Sequence, residues 1–246
     1  MTVTDDKPYA ATDSHSWTGR LRGRIFGTFP PEKLLPEDQP EYVASWIYVF
    51  GVATIAALVF LIVTGLVLTL RGPAWYHVSS LGHFVNSMHL WSVELFFMFM
   101  VVHLWGKFWM AAWRGGRATT WITGAFCFLA SIGTAFTGYV IQTNFDSQWI
   151  STQAKDGLNS VGIGAWFNVL DLGQMLLFHV ALLPLAVGVI VLWHILLVRK
   201  HGVVPPLDAV DGDSLDHQLA DSDDQLVTAV PNQPNAQTSD TQEMTS

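Results

Sequence analysis

The chain has 246 residues, half of them hydrophobic and only 13% charged. That is about half the charged fraction of an ordinary soluble domain, which excludes a disordered chain and a typical soluble enzyme. Lys and Arg number 12 against 20 Asp and Glu, arguing against a nucleic-acid partner, and a single cysteine, Cys127, excludes a disulfide scaffold.

Composition divides the chain into three. Residues 1–41 are polar, residues 42–201 strongly apolar, and residues 202–246 acidic and nearly free of rings. In the first part, Ser16–Phe29 mixes Trp17, Leu21, Ile25 and Phe26 with Arg20, Arg22 and Arg24, the pattern of an interfacial amphipathic helix on an anionic leaflet. Pro30 and Pro31 end it. The first 40 residues lack an apolar core, so no cleavable signal is expected.

The apolar part holds four candidate membrane spans, each near the 20 or so residues a helix needs to cross a bilayer. The first lies between Glu41 and Arg71, and the second runs from about Phe84 to Trp109. The third lies between Arg117 and Asp146, and the fourth between Asp171 and Arg199. With four spans, ten of the 12 Lys and Arg fall on one side, leaving only Arg71 and Lys155 on the other. The positive-inside rule makes that side the cytoplasm and puts both termini there. The 146–171 connection, with Trp149, Ile150, Trp166, Phe167 and Leu170, is then external and reads as short surface helices. The tail carries nine of the 20 acids, has no Lys or Arg after Lys200, and cannot bury enough apolar surface to order itself.

Four of the nine histidines lie inside spans. His89 and His103 are 14 residues apart on the second span; His179 and His194 are 15 apart on the fourth. Both spacings are close to four helical turns, so each pair shares roughly one face, its members about 21 Å apart along the axis. The second and fourth spans run parallel, so His89 is level with His179 near the external side and His103 with His194 near the cytoplasmic side. Ionisable groups inside spans are costly and functional by default. Two facing imidazoles can take both axial positions of a haem iron, which leaves electron transfer as the chemistry. Zinc is the alternative, but it takes four ligands at one point. Gly51 and Gly65 on the first span, and Gly124 and Gly138 on the third, repeat the 14-residue spacing. Each interior glycine costs about 1 kcal/mol of helix propensity. Close helix packing explains such residues in general; here they would clear the edges of a macrocycle held between the second and fourth spans.

These features resemble the cytochrome b family of quinol-oxidising complexes. The matching pieces are SMHLWS at 87–92, HLWGKFW at 103–109, TTWITG at 119–124, FTGY at 136–139, FHVALLPL at 178–185 and WHILLVRKHG at 193–202. The four-span length and the 14/15 spacing are most similar to the short, split form of cytochrome bf complexes, over roughly residues 16–204. The resemblance implies an all-α, four-helix, di-haem membrane bundle with cytoplasmic termini in a prokaryotic cell membrane. It implies an outer haem on His89 and His179, an inner haem on His103 and His194, and Arg199 and Lys200 near the inner propionates. It further implies a quinone substrate and three partners: a cytochrome b C-terminal-half subunit, a Rieske-type iron–sulfur protein, and a cytochrome c-type or other acceptor. The assembly would be dimeric, sit in lipid and bind no nucleic acid.

The chain departs from the family in places. Leu90 follows His89 where an Arg is usual, and GQMLLFH precedes and includes His179 where the family has an Arg. The Pro-Trp after TGY is absent, and the Pro-Glu-Trp-Tyr loop for quinol oxidation belongs to the family's other half, so quinol oxidation needs another subunit. Glu94, inward of His89, is placed to take a proton from quinol, or else bonds to a neighbouring helix. Other readings are the cytochrome b of another quinol-linked enzyme, such as a nitrate reductase, and a haem-free membrane protein using the histidines as a proton relay. Both haems are expected to be non-covalent: relatives that hold an extra haem use a cysteine where this chain has Val49, and Cys127 reads as a small core residue.

Overall fold

The computed structural model describes residues 17–30, 34 and 40–206. The expectations of a disordered tail and of Pro31 closing the first helix fall outside the described residues. Residues through Val204 form one unit; of the second, only Pro205 and Pro206 are described, without regular secondary structure.

Among the described residues every regular element is helical. Helix α1, Trp17–Thr28, is exposed along its length, with Trp17 70% exposed. Phe29, just beyond it, meets the Trp193 ring at 6.0 Å, and Lys200 Nζ lies 5.8 Å from the Phe29 ring, so the end of α1 abuts the end of the fourth span. The four spans are Trp46–Arg71, Ser80–Trp109, Ala118–Val140 and Leu172–His201. The first contains α2, Val49–Arg71; α3, Trp75–Val78, follows as a single turn. The second is α4, Ser80–Trp109, and the third α5, Ala118–Val140. After α6, Phe145–Ser160, the fourth is built from α7, Leu172–Leu177, a π-helical turn over Phe178–Leu182, and α8, Leu183–His201.

Local chemistry sets these boundaries. Gly72, at φ 81°, closes α2, and only a residue without a side chain adopts that conformation freely. Ser79 accepts a bond from Gly82 N, so α4 begins before the apolar run, at Ser80 rather than Phe84. The third span stops at Val140, well short of Asp146. Thr143 takes φ 57° and Asn144 caps α6 by accepting from Ser147 N at 2.8 Å, so the remaining charge-free residues form a turn and a new helix. Pro184 lacks the N–H that α-helix would direct at Val180, and its ring crowds that carbonyl; the helix widens into the π turn just ahead of it.

The spans associate as two pairs, α2 with α4 and α5 with α7–α8, with sparse contact between α4 and α5. Their outward faces are apolar and exposed, as at Val52 (69%) and Leu185 (68%), which suits contact with lipid. The ends tie the pairs together. At one end the Tyr42 and Tyr48 hydroxyls donate to the carbonyls of Val203 (3.2 Å) and Val204 (2.7 Å). At the other, Asn86 Nδ2 donates to Gln142 Oε1 at 3.3 Å. The connection after α5 carries one 16-residue helix where several short ones were expected; its outer face is at the surface, as at Trp149, and its inner face is docked, with Ser147 fully buried and Ser151 buried. Beside it, Val140, Val169 and Met175 form a core with Phe136, Leu158 and Phe167 around it.

The tightest backbone approach outside the spans' centres is at Gly82, where a Cβ would lie 2.7 Å from Trp75 O and 2.9 Å from Tyr76 Cα. Neither atom can swing away, so Gly82→Ala is expected to destabilise the protein by about 1–3 kcal/mol. Gly157→Ala on α6, where a Cβ meets nothing within 4 Å, should stabilise it by up to about 1 kcal/mol. Thermal unfolding in detergent reads both; equal effects of the two would contradict this account.

Candidate functional site

His89 is carried by α4 and His179 by the π turn, and their rings face each other across the seam between the pairs. The centroids are 6.3 Å apart and the planes at 90°. Two imidazoles that share one metal ion, each at a metal–nitrogen bond of about 2 Å, have about that separation. Both rings border a cavity of about 1230 Å³, which Gly65, Gly138, Asn86 and Glu94 also line.

His103 and His194 occupy the other end of the same helices. His103 lies within electrostatic reach of His194 and of Lys107. Lys107 Nζ stands 3.9 Å from the Tyr48 ring centroid. Among the described residues, no three His, Cys, Asp or Glu side chains converge on one point, which disfavours a zinc-type cluster.

Gly51, Gly65, Gly124 and Gly138 each face one of these histidines. A Cβ on Gly65 would lie 3.2 Å from His89 Cε1, and one on Gly51 3.1 Å from His103 Cε1. On α5, a Cβ on Gly124 would lie 3.0 Å from His194 Cε1, and one on Gly138 2.8 Å from both His179 nitrogens. Each of the four therefore makes room for an imidazole. The physical reason is the pairing of α2 with α4 and of α5 with the fourth span, which presses each histidine against the opposing backbone.

Sequence reasoning missed the threonines. Thr64 Oγ1 lies 2.9 Å from His89 Nδ1, and Thr123 Oγ1 3.0 Å from His194 Nδ1. Both hydroxyls already donate to carbonyls of their own helix, Thr64 to Phe60 O and Thr123 to Thr120 O. They are left to accept, so Nδ1 carries the proton. His179 Nδ1 donates to Thr134 O at 2.9 Å, with Thr137 Oγ1 at 3.5 Å. In all three rings the proton is fixed on Nδ1, and Nε2 keeps its lone pair, the state required of a metal ligand. The signal was in the chain: Thr64, Thr123 and Thr137 each directly precede one of the glycines. The exception is Phe50 before Gly51, and His103 Nδ1 is buried with no hydrogen-bond partner.

The remaining expected residues are more peripheral. Glu94 lines the cavity but is exposed, and among the described residues it has no hydrogen-bond partner, so no bond to a neighbouring helix is found there. Arg199 is exposed and Lys200 lies beside Phe29. Among the described residues no Arg lines the cavity; Asn86, Gln142 and Tyr76 do. Burial raises the Tyr76 phenol above its usual pKa, keeping it a neutral donor. Cys127 is buried within α5.

The family model described as Cytochrome b(N-terminal)/b6/petB matches residues 94–220, more than half of the chain. The chain belongs to this cytochrome b family. It is 26% identical over 226 residues to the cytochrome bc complex cytochrome b subunit of Chlorobaculum thiosulfatiphilum, covering 82% of this chain but only 53% of that one. It is 26% identical over 201 residues to the menaquinol:cytochrome c reductase cytochrome b subunit of Bacillus subtilis (strain 168), covering 69% of this chain and 89% of that one. The fold is shared with a chain of a hyperthermophilic respiratory Complex III, with TM-score 0.59 and 21% identity over 75% of this chain and 53% of that one.

Membership implies haem, and the donor set fits it: paired imidazoles with Nδ1 protonated and a cavity at the outer pair. The glycine contacts predict a graded response. Gly138→Ala should displace His179 and cost about 1–3 kcal/mol, whereas Gly51→Ala, where a Cβ would lie 3.3 Å from Nδ1 of its histidine against 2.8 Å at Gly138, should cost less. Unfolding temperature and retention of cofactor at each pair check this; a larger loss in Gly51→Ala would reverse the ranking.

Proposed function

We propose that the chain is a di-haem cytochrome b subunit that carries electrons across the membrane between quinone sites, within a bc- or bf-type quinol oxidoreductase. The observation that carries this reading is the His89–His179 pair, facing at a separation suited to one shared iron, with both Nδ1 atoms committed to protein acceptors. His89 and His179 would hold the outer haem, His103 and His194 the inner one. Bis-imidazole haem supplies one-electron transfer and offers no open position for substrate.

The rest is the work of this chain's own residues. Gly51, Gly65, Gly124 and Gly138 let the imidazoles seat against opposing backbones. Asn86, Gln142 and Tyr76 offer neutral hydrogen bonds at the outer mouth where relatives of the family use Arg, and Arg199 and Lys200 offer positive charge at the inner end. Residues 42–201 are the electron-carrying part, with both termini on the cytoplasmic side of a prokaryotic membrane and residues 202–246 an acidic appendage. The partners are a C-terminal cytochrome b half, a Rieske-type protein and a cytochrome c-type or other acceptor, in a dimeric complex. The menaquinol:cytochrome c reductase relative supports this assembly.

Two measurements test the reading. His89→Leu or His179→Leu should remove one b-type component from the reduced-minus-oxidised spectrum, and His103→Leu or His194→Leu the other, halving haem per chain each time. If His89→Leu and His194→Leu abolish the same component, the pairing is wrong. All haem should leave on acid–acetone extraction, since Val49 has no thiol and Cys127 lies in no Cys-x-x-Cys-His run. Glu94 is proposed to accept a proton from quinol in the assembled complex. Glu94→Gln keeps its shape but not its charge, and should flatten the pH dependence of quinol oxidation; an unaltered profile removes Glu94 from the mechanism.

A further inference from the structure

The four histidines divide three to one by what their Nδ1 protons meet. Thr64, Thr123 and the Thr134–Thr137 turn present acceptors to His89, His194 and His179. His103 meets none, although Gly51 admits its ring at least as closely as Gly65 and Gly124 admit theirs: a Cβ there would be 3.3 Å from Nδ1, against 3.7 Å at Gly65 and 3.5 Å at Gly124. The difference is therefore in chemistry, not in reach. At the position directly before the glycine, the other three sites have a threonine whose own proton is held by a carbonyl one turn earlier. Here that position is Phe50, whose ring packs toward Phe99 at 6.2 Å and Trp46 at 5.8 Å. Thr54, one turn further along, donates to Phe50 O at 2.7 Å and makes no bond to His103, whose Nδ1 has no partner.

We propose that Thr64 and Thr123 are positioning residues that orient and polarise their histidines, and that Phe50 withholds the same support from His103, so the four ligands are inequivalent by construction. The inference rests on the haem reading above. An N–H donated to an acceptor makes the far nitrogen of an imidazole a stronger electron donor. A stronger donor favours the oxidised, more positive iron, so a supported pair has a lower potential than a half-supported one. The outer pair, His89 and His179, is supported on both sides; the inner pair is supported at His194 alone. Thr137 contributes less, since His179 keeps the nearer Thr134 carbonyl at 2.9 Å without it.

The test is a redox titration of the two b-type components in membranes carrying the full complex, with ligand-field spectra recorded alongside. Thr64→Val, which keeps the shape and removes the hydroxyl acceptor at 2.9 Å, should raise the potential of the outer component by up to about tenfold in its reduction equilibrium, or about 59 mV for one electron. Thr64→Ser should restore it. Thr123→Val should raise the inner component only. The decisive comparison is Phe50→Thr against Phe50→Val: both lose the ring, but only the threonine can accept from His103. The inner potential should be lower in Phe50→Thr than in Phe50→Val, with the outer one unmoved. Equal potentials in those two variants, or a Thr64→Val potential that matches Thr64→Ser, would overturn the proposal. If Phe50→Thr does not assemble, the Thr64 pair decides alone. Failure of the haem reading looks different: the unmodified chain would then show no b-type absorption at all.

Discussion

A histidine side chain placed between two membrane helices makes two demands. Its ring needs the space that a Cβ on the facing helix would fill, and its N–H needs an acceptor where no water or lipid headgroup supplies one. Glycine meets the first demand. The second is met by a threonine hydroxyl whose own proton is already bound one turn back, or by a backbone carbonyl. The Thr-Gly step does both within two residues, and it appears at Thr64–Gly65, Thr123–Gly124 and Thr137–Gly138.

The pairing of helices follows from this. Each glycine-bearing span, α2 or α5, closes on the histidine-bearing span beside it, and the two pairs touch each other little along their middles. Bonds between the pairs are found at the ends, through Tyr42 and Tyr48 on one side and Asn86 with Gln142 on the other. The seam between them stays open, walled by apolar side chains and by the imidazoles of the outer pair. A bundle packed tightly along its whole length would have no such seam, and nothing flat would fit inside it.

Much of this was legible in the sequence because hydropathy and periodicity act over many residues. The four spans stood out by their scarcity of charge, and the histidine and glycine positions stood out because the same 14- or 15-residue spacing recurs on all four. The object each glycine faces was not legible, since spacing gives depth along a helix but not which neighbour leans on it. The threonines were hidden for a related reason: a hydroxyl in a membrane helix reads as tolerated polarity until its partner is seen. The docking of α6 rests on Ser147 and Ser151, buried small residues in a stretch whose exposed rings suggested a surface position. Nothing in composition marks which serines face inward.

The wide turn at Phe178–Leu182 accounts for a small arithmetical mismatch. His89 and His103 are 14 residues apart, as are both glycine pairs, while His179 and His194 are 15 apart. In unbroken α-helix one additional residue rotates a side chain by about 100°, enough to turn one histidine of the fourth span away from the seam. A π turn accommodates about one residue more than an α turn without carrying the rest of the helix out of phase, and this one lies between His179 and His194. Pro184, by denying Val180 its usual donor, thus sets the gearing between two helices: 15 teeth on one engage 14 on the other, and both histidines of each still meet the same partners.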